Sequence, residues 1–158
     1  MLTIRIAPEA ALRILRACER AGIRETGGML LAEHAENEVF RVLDVTTAEP
    51  GRFASFIRAL TDGFKKLDRF FQRTGRDYTR FNYLGEWHSH PSFALRPSAP
   101  DDTSMFEIVN DPETRARFAV LVIVRVDGGE LRGGAWAYFP PESREDCELV
   151  IERAQSGG

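Results

Sequence analysis

The stretch from Gly85 to Asp102, GEWHSHPSFALRPSAPDD, is where the reading of this chain turns. Of three histidines in all, His88 and His90 sit here, one residue apart. Phe81 to His88 reads as a strand, and on a strand residues i and i+2 face the same way. Both imidazoles therefore leave one face, roughly 6.6 Å apart along the chain. Two imidazoles so placed can converge on one ion at about 2.0–2.1 Å from each nitrogen. A zinc ion that keeps a position open for water needs a third protein ligand. Asp101 is the candidate, at the start of a helix predicted over Asp101–Val109, beyond a loop stiffened by Pro91, Pro97 and Pro100. The same residues carry a plainer meaning. Ser98 and Asp101 are spaced as a helix capping box, with Asp in place of the usual Glu, and such a box needs no metal. A lone His-x-His is also compatible with two solvated side chains.

Outward from this stretch the chain alternates between strand and helix signals. Leu2–Ile6 reads as a short strand. Pro8 opens a helix whose Ala11, Leu12, Ile14, Leu15, Cys18 and Ala21 recur at three and four, and Gly22 ends it. Glu25–Leu31 and Val39–Val45 read as strands joined by a polar turn at His34–Asn37. Phe64, Leu67, Phe70 and Phe71 predict one helix over about Thr61–Arg73, with Thr61 or Asp62 as its cap. Phe118–Val126 is β-branched enough for a buried central strand. Asp127-Gly128-Gly129 is a hairpin turn signal that returns the chain as Leu131–Phe139. Periodicity leaves Cys147–Glu152 open between an edge strand and a helix. The sum is an α/β fold of about six strands and about three helices, with a mixed, largely antiparallel sheet in an α/β sandwich rather than a doubly wound sheet.

Composition narrows the function classes. The 158 residues suit one domain, 1–158, with a less regular segment at about 51–80 and a flexible tail at about 153–158. A net charge of −3 without basic runs argues against a nucleic-acid partner. No apolar stretch approaches the roughly 20 residues that span a bilayer, so no membrane partner is expected. Glu9, Arg13 and Arg16 interrupt any signal-peptide core, and cytoplasmic location is the expectation. Two cysteines make neither a disulfide framework nor a CxxC pair, and Cys18 reads as a small core residue. There is no GxGxxG or P-loop to support nucleotide binding.

The complete spacing resembles a known signature. His88-Ser89-His90 is followed by seven residues, then Ser98, two residues, and Asp101, with Glu25 upstream in ETGGMLLA. This is similar to the JAMM zinc metalloproteases, also called the MPN-plus or Mov34/PAD-1 family, and GEWHSHP resembles their bacterial Prok-JAB branch. The resemblance runs from about Leu2 to Phe139. It implies an MPN fold, a cytidine-deaminase-like α-β-α sandwich, and amide hydrolysis by a zinc-bound water. His88, His90 and Asp101 would bind Zn2+. Glu25 would act as general base and Ser98 would steady the oxyanion. Glu86, two residues before His88, faces the same side and is either a residue orienting a ligand or an alternative base. It lies outside the shared signature, and Glu25 is the favoured base. Ser89 and Trp87 face the other way and read as structural, and His34 reads as a solvated turn residue. Gly27-Gly28 marks either a close backbone approach or a bulge.

The resemblance further implies a ubiquitin-like substrate with a C-terminal glycine tail, and its conjugates. An extended tail of that kind can add to an exposed sheet edge. The leading expectation is an isopeptidase (deubiquitinase-like) that reverses or matures bacterial ubiquitin-like conjugates, alongside E1-like and E2-like enzymes in antiphage defence. The alternatives are a peptidase that trims a ubiquitin-like sulfur carrier for cysteine or cofactor biosynthesis, and, from another class, a catalytically silent MPN scaffold. The phenylalanines of the 51–80 segment, Phe53, Phe56, Phe64, Phe70 and Phe71, offer either a substrate surface or the apolar face of a buried helix. Ser156-Gly157-Gly158 looks like a ubiquitin-like tail, but the rest of the chain does not read as a ubiquitin-like fold.

Overall fold

The computed structural model of the chain describes residues 1–47, 66–113 and 117–154. Seven strands and three helices occur in the order β1 (Thr3–Ile6), α1 (Pro8–Ala21), β2 (Gly27–Glu36), β3 (Val39–Val45), α2 (described over 66–73), β4 (Phe81–Ser89), α3 (Ala99–Asn110), β5 (Ala119–Asp127), β6 (Glu130–Phe139) and β7 (Ser143–Ile151). The start of the helix expected over 61–73, with Thr61, Asp62 and Phe64, lies outside the described residues. So do Phe53, Phe56 and the Ser156-Gly157-Gly158 end.

Two expectations are corrected here. The described residues form seven strands, not about six, and the sheet closes into a barrel in the order β1-β3-β2-β4-β5-β6-β7. Both corrections have one cause. The polar run Ser143–Ile151 is a full strand that pairs antiparallel with β6 and parallel with β1, so it seals the sheet instead of ending it. Its outward side chains are charged, which hid the strand from a hydrophobic pattern. The sheet is mixed and mostly antiparallel: β1 runs parallel to β3 and β7, β4 parallel to β5, and the other four ladders are antiparallel. Every described strand has a neighbour on both sides, but not along its whole length: β6 pairs with β7 only over Ala135–Phe139, so its Glu130–Gly134 half has no ladder on that side.

The helices cover opposite faces of the sheet. α1 buries Ala10, Ile14, Ala17 and Cys18 against Ile4, Ile6, Leu30, Val42, Leu84, Trp87 and Val122. Pro8 sits where its missing N–H costs nothing, and the Gly22 N–H closes the helix on the Cys18 carbonyl at 3.0 Å. Burial pushes the Cys18 thiol up to about 11, and the nearby Glu19 adds to the shift, as suits an inert core residue. α3 covers the other face with Met105, Ile108 and Val109 on Ala119, Leu121, Ile123 and Tyr138. Among the described residues no helix is long and apolar enough to cross a membrane.

Strand β4 is not regular, and its irregularity aims the site. Leu30 pairs with Gly85 but Leu31 with Tyr83, so Leu84 is one residue too many. This bulge re-phases the strand. Leu84 and Trp87 pack under α1, whereas Tyr83 packs on the α3 side. By alternation from Trp87, Glu86 and His88 also face α3. Trp87 is fully buried and donates to the Thr46 carbonyl at 2.9 Å. The Gly27-Gly28 question resolves at Gly28 toward close approach: a Cβ there would lie 1.9 Å from the Thr46 carbonyl oxygen.

α2 is tied down by one carboxylate. Asp44, 5% exposed, accepts from Arg13 of α1 at 2.7 Å and faces Lys66 at 3.3 Å and Arg73 at 3.5 Å. Phe70 is buried edge-on to Phe81, so Phe70 belongs to the packed face of the helix. Asp44→Ala would leave three cations around an empty position. Because those cations are themselves partly exposed, the expected loss is about 2–3 kcal/mol, at the lower end for a broken buried pair. Urea denaturation checks this; an unchanged midpoint would mean that α2 is held without Asp44.

Candidate active site

His88 lies at the penultimate position of β4 and His90 just beyond its end at Ser89, and three neighbouring segments converge on them. β2 lies antiparallel alongside, with Gly27 opposite His88. The Ser89 N–H donates to the Thr26 carbonyl (2.8 Å), and the Thr26 N–H donates to Ser89 Oγ (2.9 Å). Ser89 is thus structural, and this clasp delivers Glu25, exposed and one residue further, to the mouth of the site. β5 lies on the other side, and its Val124 carbonyl accepts from the His90 N–H at 2.9 Å. α3 brings Asp101 across the sheet.

The capping box and the metal-like cluster are the same atoms. Asp101 Oδ2 accepts from the Ser98 N–H at 2.8 Å while Ser98 Oγ accepts from the Asp101 N–H at 3.3 Å, which closes the box. The same Oδ2 takes the Ser98 hydroxyl at 2.8 Å and faces His90 Nε2 at 3.1 Å. Oδ1 faces His88 Nδ1 at 2.8 Å. His88 Nε2 meets Glu86 Oε2 at 3.0 Å, and His90 Nδ1 meets the Ala94 carbonyl at 2.9 Å. The next residue, Asp102, anchors α3: Tyr138 Oη and Arg144 Nη1 both donate to it. The sequence reading missed Asp102, although adjacent acids at a helix start were visible.

A cavity of about 250 Å³ opens onto the cluster and brings together Glu25, Thr26, His88, His90, Ser98 and Asp101. Glu86 is buried and does not line it. Phe93, also missed, lies at the rim. The residue is 41% exposed, and its ring stands over His90 with centroids 4.2 Å apart. A lone aromatic in a proline-rich loop between the two halves of the motif was the available signal. His34 is corrected: it belongs to β2, not to a turn, and stacks on Phe40 at 4.5 Å. It lines a separate, larger recess of about 480 Å³ that contains none of the clustered residues.

Electrostatics follow the contacts. Burial pulls the His88 imidazole down, but hydrogen bonds and charges from Asp101 and Glu86 outweigh it and raise the pKa from 6.5 to about 9. For His90, burial is likewise outweighed by Asp101, the Ala94 carbonyl and Glu25, and the net direction is upward. Burial alone would raise Asp101; the two histidines and the Ser98 N–H hold its carboxyl well below the usual range.

The donor set is the test of whether zinc suits this place. Two imidazoles and one carboxylate are the chemistry of an open zinc site. Ligand atoms around a tetrahedral zinc lie about 3.3 Å apart, and the facing atoms here lie at 2.8 and 3.1 Å. Among the described residues no group of three or more such side chains is already spaced to hold an ion. The trio fits by chemistry and must spread by a few tenths of an ångström. Without metal, His88 titrates near 6.5 in the unfolded chain and near 9 in the folded one. A raised folded value gives stability that is complete below pH 6.5 and lost as pH rises toward 9. Thermal melts of the metal-free chain are expected to fall across that window, and His88→Asn is expected to flatten the fall. A flat wild-type profile would mean that the charged array does not form.

Comparison with known proteins gives a family, a relative and a shared fold. The family described as prokaryotic homologs of the JAB domain, Prok-JAB, matches residues 8–137. A "CD-NTase/cGAS isopeptidase" from Enterobacter hormaechei subsp. hoffmannii is 27% identical over 133 residues, covering 84% of this chain and 71% of that protein. Two solution structures share the fold. A protein from Desulfitobacterium hafniense is 17% identical with a TM-score of 0.65, covering 97% of this chain and 95% of that one. A protein from Salinibacter ruber is 23% identical with a TM-score of 0.56, covering 100% of this chain and 95% of that one.

Proposed function

The chain belongs to the family of prokaryotic JAB-domain homologues, and we propose on that premise that it is a zinc-dependent isopeptidase acting on conjugates of a bacterial ubiquitin-like protein. The observation that carries the reading is the single cavity in which Glu25 meets His88, His90, Asp101 and Ser98. Those residues come from three segments, Glu25 lying 63 positions before His88, and a capping box alone would need only Ser98 and Asp101.

His88, His90 and Asp101 would hold the metal. A zinc ion there would polarise the scissile carbonyl and lower the pKa of a bound water toward about 7. Glu25, exposed on the cavity wall, would take a proton from the attacking water and give it to the leaving amine. Ser98 donates to the developing oxyanion. In this structure its hydroxyl donates to Asp101 Oδ2, so that role requires the hydroxyl to turn toward the substrate. Phe93 over His90 narrows the mouth, which favours a glycine tail over bulky residues.

The likeness to a protein named as a CD-NTase/cGAS isopeptidase favours an isopeptide bond to a protein of that kind over a sulfur-carrier precursor. The test is a panel of ubiquitin-like domains joined through their terminal glycine either to a lysine side chain or to a linear peptide. The reading expects zinc-dependent cleavage after the glycine of a lysine-linked member. Cleavage confined to linear sulfur-carrier fusions would move the protein to processing. No cleavage of any member by zinc-loaded protein would favour a silent scaffold.

A further inference from the structure

Glu86 has no place in the chemistry above, yet it is a carboxylate buried to 5% exposure in the middle of the sheet. Its backbone pairs with Met29 on one side and Leu121 on the other, so the strand that carries it has little freedom. A carboxylate so placed is costly unless a donor meets it. The donor is His88 Nε2, at 3.0 Å.

That contact constrains the imidazole. A neutral ring carries one N–H, and the nitrogen that does not carry it offers a lone pair. With Nε2–H committed to Glu86, the lone pair is on Nδ1, which points at Asp101 Oδ1 from 2.8 Å. Two acceptors facing each other at that range need positive charge between them, whether a proton or a cation. His90 is set the opposite way. Its Nδ1 faces the Ala94 carbonyl, an obligate acceptor, at 2.9 Å, which leaves the lone pair on Nε2 toward Asp101 Oδ2 at 3.1 Å.

We propose that Glu86 is a positioning residue that fixes the tautomer of His88, so that this histidine offers Nδ1 to the metal while His90 offers Nε2. The inference rests on the metal-site reading above. It gives Glu86 a role distinct from that of a base: it holds a ligand from behind, in the way that carboxylates hold metal-bound histidines elsewhere. The Leu84 bulge is part of the device, because it sets Glu86 and His88 on the face opposite Leu84.

The experiment uses the full chain labelled with 15N in its histidines and loaded with zinc. Long-range proton–nitrogen NMR correlations of the rings report which nitrogen is protonated and which is bound. The wild type is expected to show His88 protonated at Nε2 and bound through Nδ1, and His90 the reverse. Zinc affinity, read by competition with a chromophoric chelator, is expected to be roughly 10–100-fold weaker in Glu86→Leu, which removes the acceptor, whereas Gln would still offer a carbonyl oxygen to Nε2–H. Zinc bound by His88 through Nε2 would overturn the inference alone. So would a folded Glu86→Leu with wild-type affinity and an unchanged ring pattern. A wild type that takes up no zinc would overturn the metal-site reading, and this inference with it.

Discussion

Gly85→Ala is expected to cost more than about 4 kcal/mol, although it touches no residue of the site. Gly85 has φ 152°, a conformation that side chains rarely adopt, and a Cβ there would lie 1.9 Å from the Val120 carbonyl oxygen and 2.6 Å from its nitrogen. Both are backbone atoms of β5, which is paired on its other side with β6 over nine residues, so neither can yield cheaply. The only relief is to part β4 from β5 at Gly85, their first paired position, and that movement carries Glu86 and His88 with it. Gly129→Ala is the control. It shares a positive φ, 80°, but has nothing within 4 Å of the added carbon, so its cost is expected near 1 kcal/mol. Thermal melts of the two variants decide the matter. A Gly85→Ala melt within a few degrees of the Gly129→Ala melt would show that the β4–β5 pair adapts.

Glu25→Gln is expected to reduce cleavage by roughly 100- to 10,000-fold while leaving zinc content and melting temperature unchanged. The separation is possible because Glu25 is exposed and lines the cavity, whereas the bonds that shape the cluster run among Glu86, His88, His90, Ser98 and Asp101. The amide keeps the size of the side chain and removes its basicity. Single-turnover cleavage and metal analysis on the same preparation read both quantities. Residual activity within tenfold of wild type would place the base elsewhere. Loss of zinc would make Glu25 part of the metal site.

The parts legible in the sequence were those set by local rules. The i, i+2 spacing of His88 and His90, the Ser98–Asp101 capping distance and the apolar stripe of α1 all follow from one element's own geometry, and each appears in the structure. What was not legible depends on pairing between distant segments. The first half of β7, Ser143–Asp146, is exposed and polar and joins the barrel through its backbone, so only Cys147, Leu149 and Ile151, which pack against the core, carried a hydrophobic signal. The Leu84 bulge appears only in the register between β2 and β4, although Gly85 hinted at it. Phe93 and Asp102 gain their roles from contacts with His90 and with Tyr138 and Arg144, partners that no spacing rule connects. Glu86 is the intermediate case: its side of the strand was readable, but its burial against His88 Nε2 was not.

Zinc content per chain, measured by elemental analysis at neutral pH on wild type and on the His88→Ala/His90→Ala variant, tests the central claim most directly. About one zinc in the wild type and none in a variant that still folds is the predicted result. A wild type that holds no zinc after supplementation, or a variant that holds as much as wild type, would contradict it.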